Sequence, residues 1–163
     1  PNEPEYIALM LANTIMGGGL SSKMFNIIRE QHNLAYYASS HLMKFQCGII
    51  ATCGIDCANR VKTRDLILDI LKQIQMGDFT DKDLDNAKKT LKNSYRSLND
   101  SQASTIVFNL GQLLINSDMS PSEIIECVDN VKRDEVTDAA RHIYTNNEFF
   151  IAARDYVEAE EEA

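Results

Sequence analysis

Arg29 and Tyr36, seven positions apart, are the side chains of this sequence best suited to act on a carbonyl group. A guanidinium and a phenol are both hydrogen-bond donors. Two donors aimed at one oxygen polarise a carbonyl or steady an oxyanion without holding a metal. Arg29 stands at the end of a short helix, where a cation suits the negative end of the dipole. Tyr36 falls near the start of a strand, so a chain reversal between them would set the two groups side by side. Spacing alone does not decide the matter, because arginines are common at helix ends and one ring of the Tyr36-Tyr37 pair can simply turn inward.

The stretch Gly17-Gly18-Gly19-Leu20-Ser21-Ser22-Lys23 invites comparison with a phosphate-binding loop. That loop ends in Gly-Lys-Ser/Thr and follows a strand. Here serine precedes the lysine and a helix precedes the glycines, which excludes it. Two readings stay open for Gly17, Gly18 and Gly19: a flexible corner between helices, or a loop that lines a peptide channel.

Metal and nucleophile chemistry find little support. His32, His41 and His142 are far apart, with neither a His-Glu-x-x-His nor a His-x-x-Glu-His signature. Cys47, Cys53, Cys57 and Cys127 lack the paired Cys-x-x-Cys knuckles of a zinc ribbon. Cys47 and Cys53 lie in apolar, strand-like sequence, where a thiol acts as a small hydrophobe. The expectation is no metal site in this chain, with a thiol-based metal or redox module as a lesser alternative. Free thiols and the absence of an export signal point to a reducing, cytoplasmic compartment.

The elements that must position Arg29 and Tyr36 follow from periodicity. Residues 4–16 predict a helix, with Ile7, Leu11 and Thr14-Ile15 on one side and Pro4 in its first turn. The glycine run ends it. Ser21 or Ser22 can cap a short helix running to Arg29, and Asn33 breaks the pattern. Residues 34–45 and 46–55 predict a β-hairpin with Cys47-Gly48 at its turn. Helices then follow one another. Leu66, Ile67, Ile70, Leu71 and Ile74 form a stripe that stops at Gly77. Thr80 to Asp83 resembles a capping box ahead of Leu84, Ala87, Leu91, Tyr95 and Leu98. Ser101 caps a helix on which Ile106, Val107, Leu110, Leu113 and Leu114 face one way. Ser120-Pro121-Ser122-Glu123 opens the next helix, residues 134–144 form the last, and residues 149–157 predict a final strand.

Helices grouped together with few strands predict an α+β fold, an antiparallel-rich sheet covered on one face by helices. Its 163 residues fit one domain over 1–157, with 158–163 as an acidic frayed tail. Hydrophobic residues at 44% and charged residues at 25% are ordinary for a globular chain with its own core. The net charge is −8, half of it from Glu158, Glu160, Glu161 and Glu162, which argues against a nucleic-acid partner. No apolar run reaches the ~20 residues of a membrane span. The opening helix has no strand before it, as in a fragment of a longer protein.

Residues 16–37 carry a family resemblance. The glycine run, Ser21-Ser22-x-x-Phe25, Arg29-Glu30 and Leu34-Ala35-Tyr36 stand in the order found in the second half of the pitrilysin/insulinase zinc peptidases. That family also includes mitochondrial processing peptidase and the core proteins of the cytochrome bc1 complex. Gly77-Asp78-Phe79-Thr80 and the following Asp83-Leu84 resemble a later helix start of the same family. Similarity extends over residues 4–155, and Tyr36-Tyr37 with Ala38-Ser39-Ser40 looks closest to bacterial, often non-catalytic, members.

The resemblance implies two homologous α+β halves closing like a clamshell over an unfolded peptide. One half holds zinc through two histidines and a distant glutamate. The other contributes an arginine and a tyrosine that bind the substrate carbonyl, which match Arg29 and Tyr36 here. This chain would be that metal-free, substrate-binding half, non-catalytic when isolated, with zinc in a homologous partner half or subunit. The alternative is an inactive paralogue that serves as scaffold or partner of an active peptidase.

Overall fold

A computed structural model describes residues 3–45 and 48–152 of the chain. Among the described residues, six α-helices accompany one antiparallel pair of strands, in agreement with the α+β expectation. Helix α1 (Glu3–Gly17) is followed by a π-helix (Phe25–Gln31), strands β1 (Ala35–Met43) and β2 (Gly48–Ile55), and helices α2 (Arg60–Gln75), α3 (Asp81–Arg96), α4 (Gln102–Leu114), α5 (Pro121–Asn130) and α6 (Arg133–Arg141). Short 3-10 turns over Cys57–Asn59 and Ser97–Asp100 precede α2 and α4.

Helix α1 is the centre of the core. Ile7, Ala8, Leu11, Ala12, Ile15 and Met16 are all buried, more of the helix circumference than a single stripe would need. It packs against α2, α3, α5, α6 and β1. Gly17 ends the helix against β1, where a β-carbon would overlap the Ser40 backbone nitrogen. The glycine there is a close-approach residue as well as a helix stop.

The capping signals hold. Thr80 and Asp83 form a reciprocal capping box at α3, and Ser120 and Glu123 do the same at α5, with Pro121 in its first turn. Hydrogen bonds from Ser120 hold the Glu123 carboxyl below the usual carboxylate range. Ser101 Oγ accepts from the Ser104 amide at 3.3 Å to start α4. The turn after α2 is fixed from outside: Gly77 sits at φ 75°, and the Arg133 guanidinium donates to the carbonyls of Gly77 and Phe79 while lying over the Phe79 ring.

Two expectations change. Ile106, Val107, Leu110, Leu113 and Leu114 do share one face of α4, but that face is turned to solvent, and the inward side carries Phe108 and Gln112. Periodicity shows that a stripe exists and not which way it faces. The final strand is also absent over residues 149–152, which have no ladder partner. Strand propensity is realised only by pairing. Here the Arg60 guanidinium lies 4.7 Å from the Phe150 ring centre and 3.2 Å from the Glu148 carboxylate, anchoring the segment beside α2. Residues 153–157, the acidic tail 158–163 and Cys47 lie outside the described residues.

This distribution gives a direct stability contrast. Leu11→Ala, at a fully buried site, should cost about 2–5 kcal/mol in urea denaturation. Leu113→Ala, at a residue 77% exposed, should stay within about 0.5 kcal/mol.

Candidate functional site

Arg29 reaches the surface from the last turn of the π-helix, and Tyr36 from the second residue of β1. The reversal between them is tight. Asn33 adopts φ 50°, a left-handed conformation that asparagine tolerates better than most residues. Its amide bonds the Arg29 carbonyl at 3.1 Å, and the Leu34 amide bonds the Ile28 carbonyl at 3.0 Å. Ser22 caps the start through the Phe25 amide at 3.3 Å, as expected of that serine. The wider π turn was not legible in the sequence; such turns recur at functional sites. Ile28 is buried on this element while Arg29 stays outside.

A β-bulge aims Tyr36. Ala35 pairs with Ile55 and Tyr37 with Gly54, so Tyr36 is the extra residue between two consecutive pairs. Further along β1 the even positions Ala38 and Ser40 are buried, and regular alternation would bury residue 36 as well. The bulge resets the phase: Ala35 turns inward and Tyr36 is left 87% exposed. Gly54 makes the arrangement possible, because the Tyr37 ring occupies the space its β-carbon would take. An isolated glycine within a strand was the available sequence signal for this close approach.

Arg29 and Tyr36 line the same open cavity of about 720 Å³, together with Glu30, Asn33, Gly54 and Asp56. The Arg29 guanidinium lies 4.7 Å from the Phe25 ring centre and 3.7 Å from the Glu30 carboxylate. Phe25, four residues before Arg29, therefore supports its head group through a cation–π contact. The exposed ion pair adds little energy but biases its direction. Such a site can present two neighbouring donors to an extended ligand.

Gly17, Gly18 and Gly19 are not among the residues that line this cavity. Gly18 lies against Thr14 and Gly19 faces Thr90 of α3. The histidines remain separated: His32 follows the π-helix, His41 is exposed on β1, and His142 lies at the end of α6 with Nδ1 3.8 Å from the Glu5 carboxylate. Among the described residues no three His, Cys, Asp or Glu side chains converge on a metal-holding group. A guanidinium and a phenol are not the imidazole, thiolate or carboxylate ligands that zinc takes. Burial pushes the Cys53 thiol up to about 11. No helix among the described residues is long and apolar enough to cross a membrane.

The model of the family described as the peptidase M16 inactive domain matches residues 1–91, more than half of the sequence. The chain belongs to that family. It is 24% identical over 149 residues to "Probable inactive metalloprotease YmfF" of Bacillus subtilis, covering 91% of this chain and 35% of that protein. It is 28% identical over 142 residues to "Uncharacterized zinc protease YmxG" of the same organism, covering 85% and 35%. A crystal structure of a conserved protein from Enterococcus faecalis superposes with a TM-score of 0.77 at 31% identity, covering 84% of this chain and 32% of that one. The M16 inactive domain thus spans about a third of the length of these relatives.

Two measurements test the local geometry. Gly54→Ala should lower stability by about 1–3 kcal/mol through overpacking on Tyr37, and most of that loss should vanish in a Tyr37→Ala background. Cys53 should react with iodoacetamide at pH 8 at least about tenfold more slowly in the native than in the unfolded chain, gaining speed only as pH approaches its raised pKa.

Proposed function

We propose that this M16 inactive domain is the substrate-binding half of a zinc-dependent metalloendopeptidase, in which Arg29 and Tyr36 donate hydrogen bonds to the carbonyl oxygen of a bound peptide. One observation carries the reading: both donors line a single open cavity, at the two ends of one tight reversal. The donors stabilise negative charge that develops on that oxygen, and they do so without a metal of their own. Zinc belongs to a homologous partner half, in keeping with the name zinc protease given to a relative of which the matched stretch covers 35%. The isolated chain is then non-catalytic, a single domain cut from a longer protein, and its location cytoplasmic. The cavity engages an unfolded peptide, since its lining is a strand end and a helix end open to solvent.

The glycine run has a packing role at the α1–β1 contact, and a part in lining a peptide channel would be additional to it. A second reading, an inactive paralogue that acts as scaffold or partner subunit, draws support from the name of the inactive metalloprotease relative.

The test begins with peptide hydrolysis and zinc content for this chain alone, then after mixing with a zinc-bearing half that demonstrably binds it. Inactivity alone and activity after mixing are expected. Arg29→Ala and Tyr36→Phe should each lower kcat by about 10²–10³ while leaving the zinc content of the mixture unchanged. Unchanged kcat in both variants would remove the donor role. Inactivity of a demonstrated complex would favour the scaffold.

A further inference from the structure

A second cavity, of about 410 Å³, lies away from Arg29 and Tyr36, between α1, the tip of the β1–β2 hairpin, and the segment joining α4 to α5. Its volume is within the range of small-molecule sites, ~300–1,000 Å³. Ile7 and Met10 of α1 form one side, and Ile115, Met119 and Ile124 form another. Neither the donor pair nor the family relationship accounts for this cavity.

Its polar groups are unusual for an apolar recess. Lysines near a surface ordinarily extend their ammonium into water. Lys44 instead folds back from the hairpin tip, with Nζ 2.8 Å from Gln112 Oε1 and 6.0 Å from the Tyr6 ring centre. Burial holds its pKa below the ordinary lysine value. Gln112 is itself buried and is locked in orientation, because Nε2 donates to the Met119 carbonyl at 2.8 Å and to Ser117 Oγ at 3.3 Å. The amide oxygen is thereby aimed at the ammonium. A neutral amide orients a cation without neutralising it, and among the described residues Lys44 has no carboxylate partner. Tyr95 supplies a further donor on the cavity wall, its hydroxyl bonded to the weak acceptor Met10 Sδ at 3.4 Å.

An oriented, partly desolvated cation at the edge of an aliphatic recess is complementary to an anion with an apolar tail. We propose that this cavity binds a small apolar monocarboxylate, its chain among Ile7, Met10, Ile115, Met119 and Ile124 and its carboxylate on the Lys44 ammonium. The same chemistry is offered by a free aliphatic acid and by the C-terminus of an apolar peptide.

The 163-residue chain is titrated calorimetrically with octanoate, octanol, octylammonium and N-acetyl-leucine. Saturable octanoate binding, at least about tenfold tighter than octanol and with no octylammonium binding, is expected. Lys44→Met should weaken octanoate by about tenfold or more and leave octanol unchanged, whereas Lys44→Arg should retain octanoate; thermal melts confirm that both variants are folded. Tighter N-acetyl-leucine than octanoate, again dependent on Lys44, identifies a peptide C-terminus as the source, and the reverse order identifies a free acid. Absence of saturable binding by either carboxylate, equal affinity for octanol and octanoate, or full octanoate affinity in Lys44→Met would each overturn the proposal. Peptide hydrolysis with a partner half does not enter these readouts, so the outcome is independent of the role of Arg29 and Tyr36.

Discussion

Burial of α1 is the constraint on which the rest of the domain depends. With apolar side chains around most of its circumference, the helix needs neighbours on several sides, and α2, α3, α5, α6 and β1 supply them. Hydrophobic burial of this extent is non-directional and would not by itself choose an arrangement. Direction comes from small residues and caps. Gly17 lets the end of α1 meet the Ser40 backbone, and the Arg133 guanidinium ties the Gly77–Phe79 turn to the start of α6. The hairpin is therefore held against α1 along the buried side of β1.

The donor pair is a consequence of how that hairpin begins. Ile28 must be buried while Arg29 stays outside, and Ala35 must be buried while Tyr36 stays outside. The π turn, the left-handed Asn33 and the bulge opposite Gly54 meet those demands within residues 25–37. Each device departs from regular secondary structure, and each is fixed by neighbours: Ser22 caps the helix, Phe25 underlies the guanidinium, and the Tyr37 ring fills the place of the missing Gly54 side chain. Irregular backbone that is determined by its surroundings in this way can hold two exposed side chains in a defined relation.

The surface divides into regions with different character. The Arg29–Tyr36 cavity is polar and open. Elsewhere, the apolar stripe of α4 faces solvent, and the recess beside it contains a lysine steered by a buried amide. Large exposed apolar areas on a domain mark places of interaction. The matched stretch spans only about a third of the length of its relatives.

Local chemistry was legible in the sequence alone. Caps at Thr80 and Ser120, the stop at the glycine run, the apolar faces of α1, α2 and α6, and the hairpin all depend on residues a few positions apart. The family resemblance matched Arg29 and Tyr36, seven residues apart, and the chain reverses between them through the Asn33 and Leu34 amides. Other features depended on residues distant in sequence. The bulge that turns Tyr36 outward follows from Gly54 across the sheet, and the outward direction of the α4 stripe from which side of that helix Phe108 and Gln112 can pack. The final strand of residues 149–157 fails over its described part because pairing needs a partner strand packed alongside, which propensity does not supply. Periodicity determines that a face exists; which neighbour meets it, and hence which residues remain free to act, was decided only by the packing of the whole chain.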